Sequence, residues 1–239
     1  PAAVEEVQGV NNRLQLADLE RAFQRREANR LMTEGASLAD PSRIDVRGKL
    51  TIGTDISIDV GCIFEGDVTL ADDVVIGAHC VIRNATIGAG ANIAPHSVID
   101  GAVLEGDNNV GPFARLRPGT ELARGARIGN FVETKNAQVG VDAKINHLSY
   151  VGDATLGEAV NVGAGTITCN YDGANKFRTE IGANAFIGSN SALVAPLKIG
   201  AGATVGAGST LSRDVAEGAL SVARGKRIDK PEWPRPTKK

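Results

Sequence analysis

Aromatic residues are scarce: six Phe, two Tyr and one Trp make up 4% of the 239 residues. A globular core leans on large rings, so this chain must fill its interior another way. Cysteine is scarce too, and Cys62, Cys80 and Cys169 have no close spacing. That excludes the usual zinc and dithiol motifs and reads as free thiols in a reducing cytoplasm. The formal net charge is only −2, which excludes a general nucleic-acid binder. No apolar run approaches a membrane span and no secretory leader is seen, so the expectation is a cytoplasmic protein with no membrane partner. The first residue is Pro1 and the only methionine is Met32, so the chain is expected to be a fragment of a longer protein.

What the sequence does have is glycine, 29 in all, and a strict aliphatic ladder. Ile181, Ile187, Leu193, Ile199, Val205 and Leu211 fall at every sixth position. Leu104, Val110, Leu116, Leu122 and Ile128 repeat the pattern, as do Val139, Ile145 and Val151. Six is neither the period of a helix nor that of a plain strand. It describes short flat segments joined by regular corners, three to a coil, each pointing one aliphatic at the axis. This is the hexapeptide signature of a parallel β-helix. Stacked aliphatic columns make rings unnecessary and leave the chemistry to the outer faces.

The ladder also predicts the domain organisation. Residues 1–12 have no periodicity. Residues 13–34 read as a helical linker, with Leu16, Leu19, Phe23 and Leu31 on one thin apolar stripe and Gly35 as the stop. Residues 35–216 hold the β-helix, with five-residue steps at Ile87 and Leu104. Between Val162 and Ile181, the stretch Thr168–Arg178 breaks the pattern and is expected to be an external loop that bears function. Residues 217–239 read as an extended tail, because Pro231, Pro234 and Pro236 around Trp233 exclude a helix.

Three stretches depart from the plain hexad: Gly111–Gly119, Gly129–Glu133 and Gly163–Gly173. With them, nearly the whole chain resembles the C-terminal acetyltransferase part of the bacterial N-acetylglucosamine-1-phosphate uridyltransferase / glucosamine-1-phosphate N-acetyltransferase family. The resemblance implies a left-handed parallel β-helix preceded by one connecting α-helix. It implies acetyl transfer from acetyl-CoA to the amine of glucosamine 1-phosphate, toward UDP-N-acetylglucosamine, peptidoglycan and lipopolysaccharide. It also implies a homotrimer with active sites between subunits. Asn11 resembles a magnesium-holding asparagine of the family's uridyltransferase domain. Nearly all of that domain is missing from the chain, so no uridyltransferase activity is expected.

The chemistry asks for a base, because only a deprotonated amine attacks a thioester. Histidine suits that task near neutral pH. His79, His96 and His147 are all at non-core positions. His147 stands out through Asn146 and Tyr150 nearby and the odd loop after it, and it matches the family's catalytic base. His79 and His96 are expected to be plain surface residues. A phosphomonoester asks for cations, and Arg117 and Lys135 match the family's substrate positions. Tyr150, Asn161 and Lys176 match further contacts, and Glu133 is a candidate for a sugar hydroxyl or for orienting the base. For acetyl-CoA, Ala164, Asn170, Tyr171, Ser189, Ala207 and Arg224 match the family's positions. The Gly163-Ala164-Gly165 segment is a candidate source of an N–H for the developing oxyanion. Because these positions are spread over several coils, a site shared between neighbouring prisms is expected. The alternative is a hexapeptide acyltransferase with another amine acceptor.

Overall fold

The computed structural model describes residues 7–225, and within them the ladder becomes a parallel β-helix. Eleven strands pair along one face of the prism, and a fifteen-stranded sheet covers the other two. The two faces merge because Ile44–Ile52, Cys62–Leu70, Glu133–Val139 and Tyr150–Leu156 run round their shared corner unbroken.

Register stacks like on like. Ile58, Ile76, Ile93, Val110, Ile128, Ile145, Val162, Ile187 and Val205 form the column of the first face. Phe64, Ile82, Ile99 and Leu116 begin that of the second. Leu70, Ile87, Leu104, Leu122, Val139, Leu156, Ile181 and Ile199 line the third. All are buried, at roughly 1.5–3 kcal/mol of favourable transfer for each side chain.

Coil length explains the phase slips. Val110 and Ile128 are eighteen residues apart, but Ile76 and Ile93 are seventeen, one short of three hexads. A corner can lose a residue because nothing there must point inward. From Val162 to Ile187 the separation is twenty-five, and the excess is the external loop.

The second face changes character beside that loop. Its inward positions after Leu116 are Thr134, Val151 and Thr168. Thr168 Oγ1 takes the Gly152 N–H at 2.8 Å and donates to the Gly152 carbonyl at 2.9 Å. A hydroxyl thus satisfies a peptide group that the diverging strand leaves, which a valine could not do.

The helix α1 spans Arg13–Thr33, capped by Asn12, whose Oδ1 accepts the Gln15 N–H at 2.9 Å. Its packing differs from the expected stripe. Leu16 and Phe23 are exposed, and the buried residues are Gln24, Ala28 and Leu31. The reason is the open edge of the first coil, which needs hydrogen bonds more than apolar cover. Gln24 donates to the Val46 carbonyl at 2.9 Å and accepts its N–H at 2.7 Å, while Arg30 donates to the Leu50 carbonyl at 3.0 Å.

At the other end, pairing outlasts the periodic ladder. Leu220–Ser221 pairs with Thr204–Val205, so the first residues of the expected tail are a last rung. A terminal coil has no neighbour above it and can present Ser221 where Val205 stood, which hid it from an aliphatic count. The proline-rich segment around Trp233 lies outside the described residues.

Candidate active site

The corner after the first face carries one column of the site. Asn130 pairs in register with His147. The ladder then continues through backbone hydrogen bonds: Gly165 N–H to His147 at 3.4 Å, Asn190 N–H to Ala164 at 2.8 Å, and Gly208 N–H to Ser189 at 2.8 Å. Asn130, His147, Ala164, Ser189 and Ala207 therefore stand one above another. His147 to Ala207 is three rungs, about 14 Å at the usual strand spacing. The spread that argued for a shared site is, for these residues, one short ridge of a single prism. Arg224 follows at its upper end, beside Gly208.

His147 is exposed, and its Nδ1 lies 2.6 Å from Asn130 Oδ1. An amide oxygen can only accept, so Nδ1 carries the proton, and in the neutral ring the lone pair is on Nε2. The orienting partner is Asn130, one coil below. Neither Asn146 nor Glu133 plays this part. Glu133 instead pairs with Arg117 at 2.8 Å and reaches Arg115 at 3.7 Å.

Round the same corner lies the second face. Arg117 and Lys135 occupy successive rungs, since Leu116 pairs with Thr134, and Lys135 lies opposite Gly152. Gly152 has a reason to be glycine: a Cβ there would stand 2.3 Å from the Tyr150 hydroxyl. The half-buried Tyr150 ring therefore lies back across the strand that carries it. Lys176 reaches in from the external loop, which folds back on itself through a Tyr171–Lys176 bridge. Asp172 Oδ1 accepts the N–H groups of Ala174 at 2.8 Å and Asn175 at 2.6 Å. The Lys176 ammonium beside Lys135, together with partial burial and Arg117, holds Lys135 below its ordinary pKa, with Asp153 opposing. Three cations thus converge on one ledge of the second face, at the end away from the His147 corner.

Other expected positions fall out differently. Asn161 is half-buried on the first face, one coil above Lys144. Asn170, expected at the cofactor, is buried and gives its amide N–H to Asp153. Tyr171 is exposed, and its hydroxyl donates to the Gly173 carbonyl at 2.5 Å. In the Gly163–Gly165 segment, the Gly163 N–H goes to Ile187 at 2.7 Å and that of Gly165 to His147. Ala164 is the residue whose N–H, among the described residues, has no acceptor. Asn11 is exposed, and its N–H goes to Gln15. Among the described residues there is no group of three or more His, Cys, Asp or Glu that could hold a metal ion.

His79 and His96 are part of a larger feature. Their rings stack at 5.2 Å, His96 stacks on Phe113 at 5.0 Å, and Phe113 on Phe131 at 5.3 Å. These four share a left-handed backbone at one corner. The signal was a ring at every seventeenth or eighteenth position, a coil period rather than a hexad. A groove of about 670 Å³ lies along Arg178, Glu180, Lys198 and Asp214 and contains none of the candidate residues.

The family description "GMPPB C-terminal domain" matches residues 46–130, and "Bacterial transferase hexapeptide (six repeats)" matches residues 178–213. The bifunctional protein GlmU of Marinobacter nauticus is 64% identical over 98% of this chain and 51% of its own length. That of Ralstonia pickettii is 60% identical over 100% of this chain and 52% of its own length. The chain therefore spans about half the length of the curated relatives it matches. The solved structure of Francisella novicida UDP-N-acetylglucosamine acyltransferase aligns with a TM-score of 0.52 at 16% identity, covering 78% of this chain and 67% of that one. At that identity it shows a shared fold only. Identity of 64% and 60% over 98% and 100% of the chain leads to one conclusion: the chain corresponds to the C-terminal, hexapeptide-repeat part of the GlmU family.

Proposed function

We propose that the chain transfers the acetyl group of acetyl-CoA to the amine of glucosamine 1-phosphate. The observation that carries this reading is His147. Its Nδ1 proton is directed at Asn130, and its Nε2 is left as a base at the foot of the ridge, with Arg117, Lys135 and Lys176 on the adjoining second face. The cations hold the phosphate. Arg117 offers a planar fork that Glu133 keeps aimed, and the lysines act as point charges. His147 Nε2 takes a proton from the substrate ammonium, and the freed amine attacks the thioester carbonyl. The Ala164 N–H is the available donor to the oxyanion. Collapse expels the CoA thiolate, the proton held on His147 passes to it to give the CoA thiol, and the second amine proton leaves the adduct nitrogen to solvent water.

Acetyl-CoA fits as co-substrate because Ser189 and Ala207 are exposed on the ridge above His147, a straight path for an extended chain. Arg224 at its end suits CoA phosphates. The corner is open on one chain, so a homotrimer in which a neighbouring prism closes the site is part of the same reading. Magnesium belongs only to the uridyltransferase reaction of longer relatives, and no step here uses it. The helical linker and the β-helix are the two working segments, and a cytoplasmic location suits both substrates.

The test is CoA release from acetyl-CoA with glucosamine 1-phosphate as acceptor, for the chain and its His147→Ala variant. Removing a general base should lower kcat about 10²- to 10⁴-fold. Undiminished turnover in the variant refutes the base, and a preference for unphosphorylated glucosamine refutes the cation assignment.

A further inference from the structure

The corner between the second and third faces carries a buried charge that the fold does not require. Along this corner the chain places Gly119, Asn136, Asp153 and Asn170 on successive coils. Small or amide residues suit such positions, where Asn136 and Asp153 both adopt φ 46. Asp153 is 9% exposed, and a carboxylate buried there is unfavourable unless paired. Its partners are complete: Asn136 Nδ2 donates to Oδ1 at 2.6 Å, and Asn170 Nδ2 donates to Oδ2. Asn136 directly follows Lys135. Asn170 is the first residue of the loop that carries Lys176.

We propose that Asp153 is a positioning residue: it is the buried counter-ion that holds Lys135 and Lys176 together as one phosphate-binding pair, and through Asn170 it ties the loop bearing Lys176 to the prism. This rests on the reading that the two lysines receive the substrate phosphate. The electrostatics agree. Burial pushes the Asp153 carboxyl up, but the Asn136 and Asn170 amides and the charges of Lys135 and Lys176 outweigh it and hold it below the ordinary carboxylate range. The charged groups facing the pair are Asp153 and Arg117, and Arg117 is matched by Glu133. Without Asp153 the two ammoniums would face each other, and Arg117, with no buried anion.

Asp153→Asn removes the charge and keeps the shape, since amide flips at Asn136 and Asn170 can preserve both hydrogen bonds. Two readouts separate the roles. Lysines labelled as ¹³C-dimethyl groups, with Lys135 and Lys176 assigned through Lys→Arg variants, report their own titration. In Asp153→Asn the Lys135 midpoint should fall while lysines elsewhere stay put. In steady state, KM for glucosamine 1-phosphate should rise about tenfold, with kcat and KM for acetyl-CoA nearly unchanged. An unmoved Lys135 midpoint overturns the proposal whatever the activity. A moved midpoint in a chain whose wild type acetylates nothing supports the counter-ion and overturns the functional reading instead. Should Asp153→Asn fail to fold, the wild-type Asp153 carboxylate can be followed by ¹³C. Its midpoint should rise in the exposed double variant Lys135→Gln/Lys176→Gln, and an unchanged midpoint overturns the proposal.

Discussion

Asn130→Ala tests the central geometry more sharply than loss of the base itself. The mutation removes the oxygen 2.6 Å from His147 Nδ1 and leaves the imidazole in place. A hydrogen bond of this kind is worth about 1 kcal/mol net, and the exposed site argues against more. The alanine variant lets the ring sample the tautomer that protonates Nε2, which cannot accept the substrate proton. A loss of about 1 kcal/mol in transition-state stabilisation is about a fivefold drop in kcat. The assay is the initial rate of CoA release, followed with a thiol reagent at saturating substrates. The double variant Asn130→Ala/His147→Ala should be no slower than His147→Ala alone, because Asn130 acts only through the ring. A wild-type rate for Asn130→Ala, or additive losses in the double variant, would refute the tautomer argument.

Other consequences are equally specific. Gly152→Ala puts a methyl group 2.3 Å from the Tyr150 hydroxyl, so the ring must swing outward. KM for the sugar phosphate should rise several-fold while the thermal midpoint hardly moves, as kinetics and a melting curve will show. Thr179 Oγ1 is buried and, among the described residues, has no hydrogen-bond partner. Thr179→Val should therefore stabilise the fold by about 1 kcal/mol in a denaturant titration. Burial raises the Cys62 thiol and pushes Cys80 up to about 12. At pH 8 a disulfide reagent should leave both untouched in the native chain and find all three cysteines after unfolding. A raised native value means this contribution to stability is complete below the unfolded thiol value near 9.0 and is lost as pH climbs toward about 12. A denaturant midpoint flat across that window would contradict the buried assignment.

The architecture was legible because a β-helix is written locally. Each inward aliphatic is read from its own hexad, and Ile76, Val110 or Leu122 needs no distant partner to declare its direction. Errors fell where the repeat meets something else. At the first coil an open strand edge recruited Gln24 and Arg30 and, of the apolar stripe of α1, buried Leu31 while Leu16 and Phe23 stayed exposed. At the last, Ser221 kept a rung that no aliphatic announced.

Residue types by themselves determined the coil and the external loop and singled out His147, and the resemblance added Arg117, Lys135 and Lys176. Only the tertiary structure decided which of them meet. Stacking sets residues seventeen, eighteen or twenty-five positions apart side by side, and those separations depend on how many residues each corner drops or the loop adds. For that reason Asn130 beneath His147 and Asp153 between two asparagines could not be read along the chain. Hydrogen bonds and charge pairing act across coils, and it is the register between coils that chooses the partners.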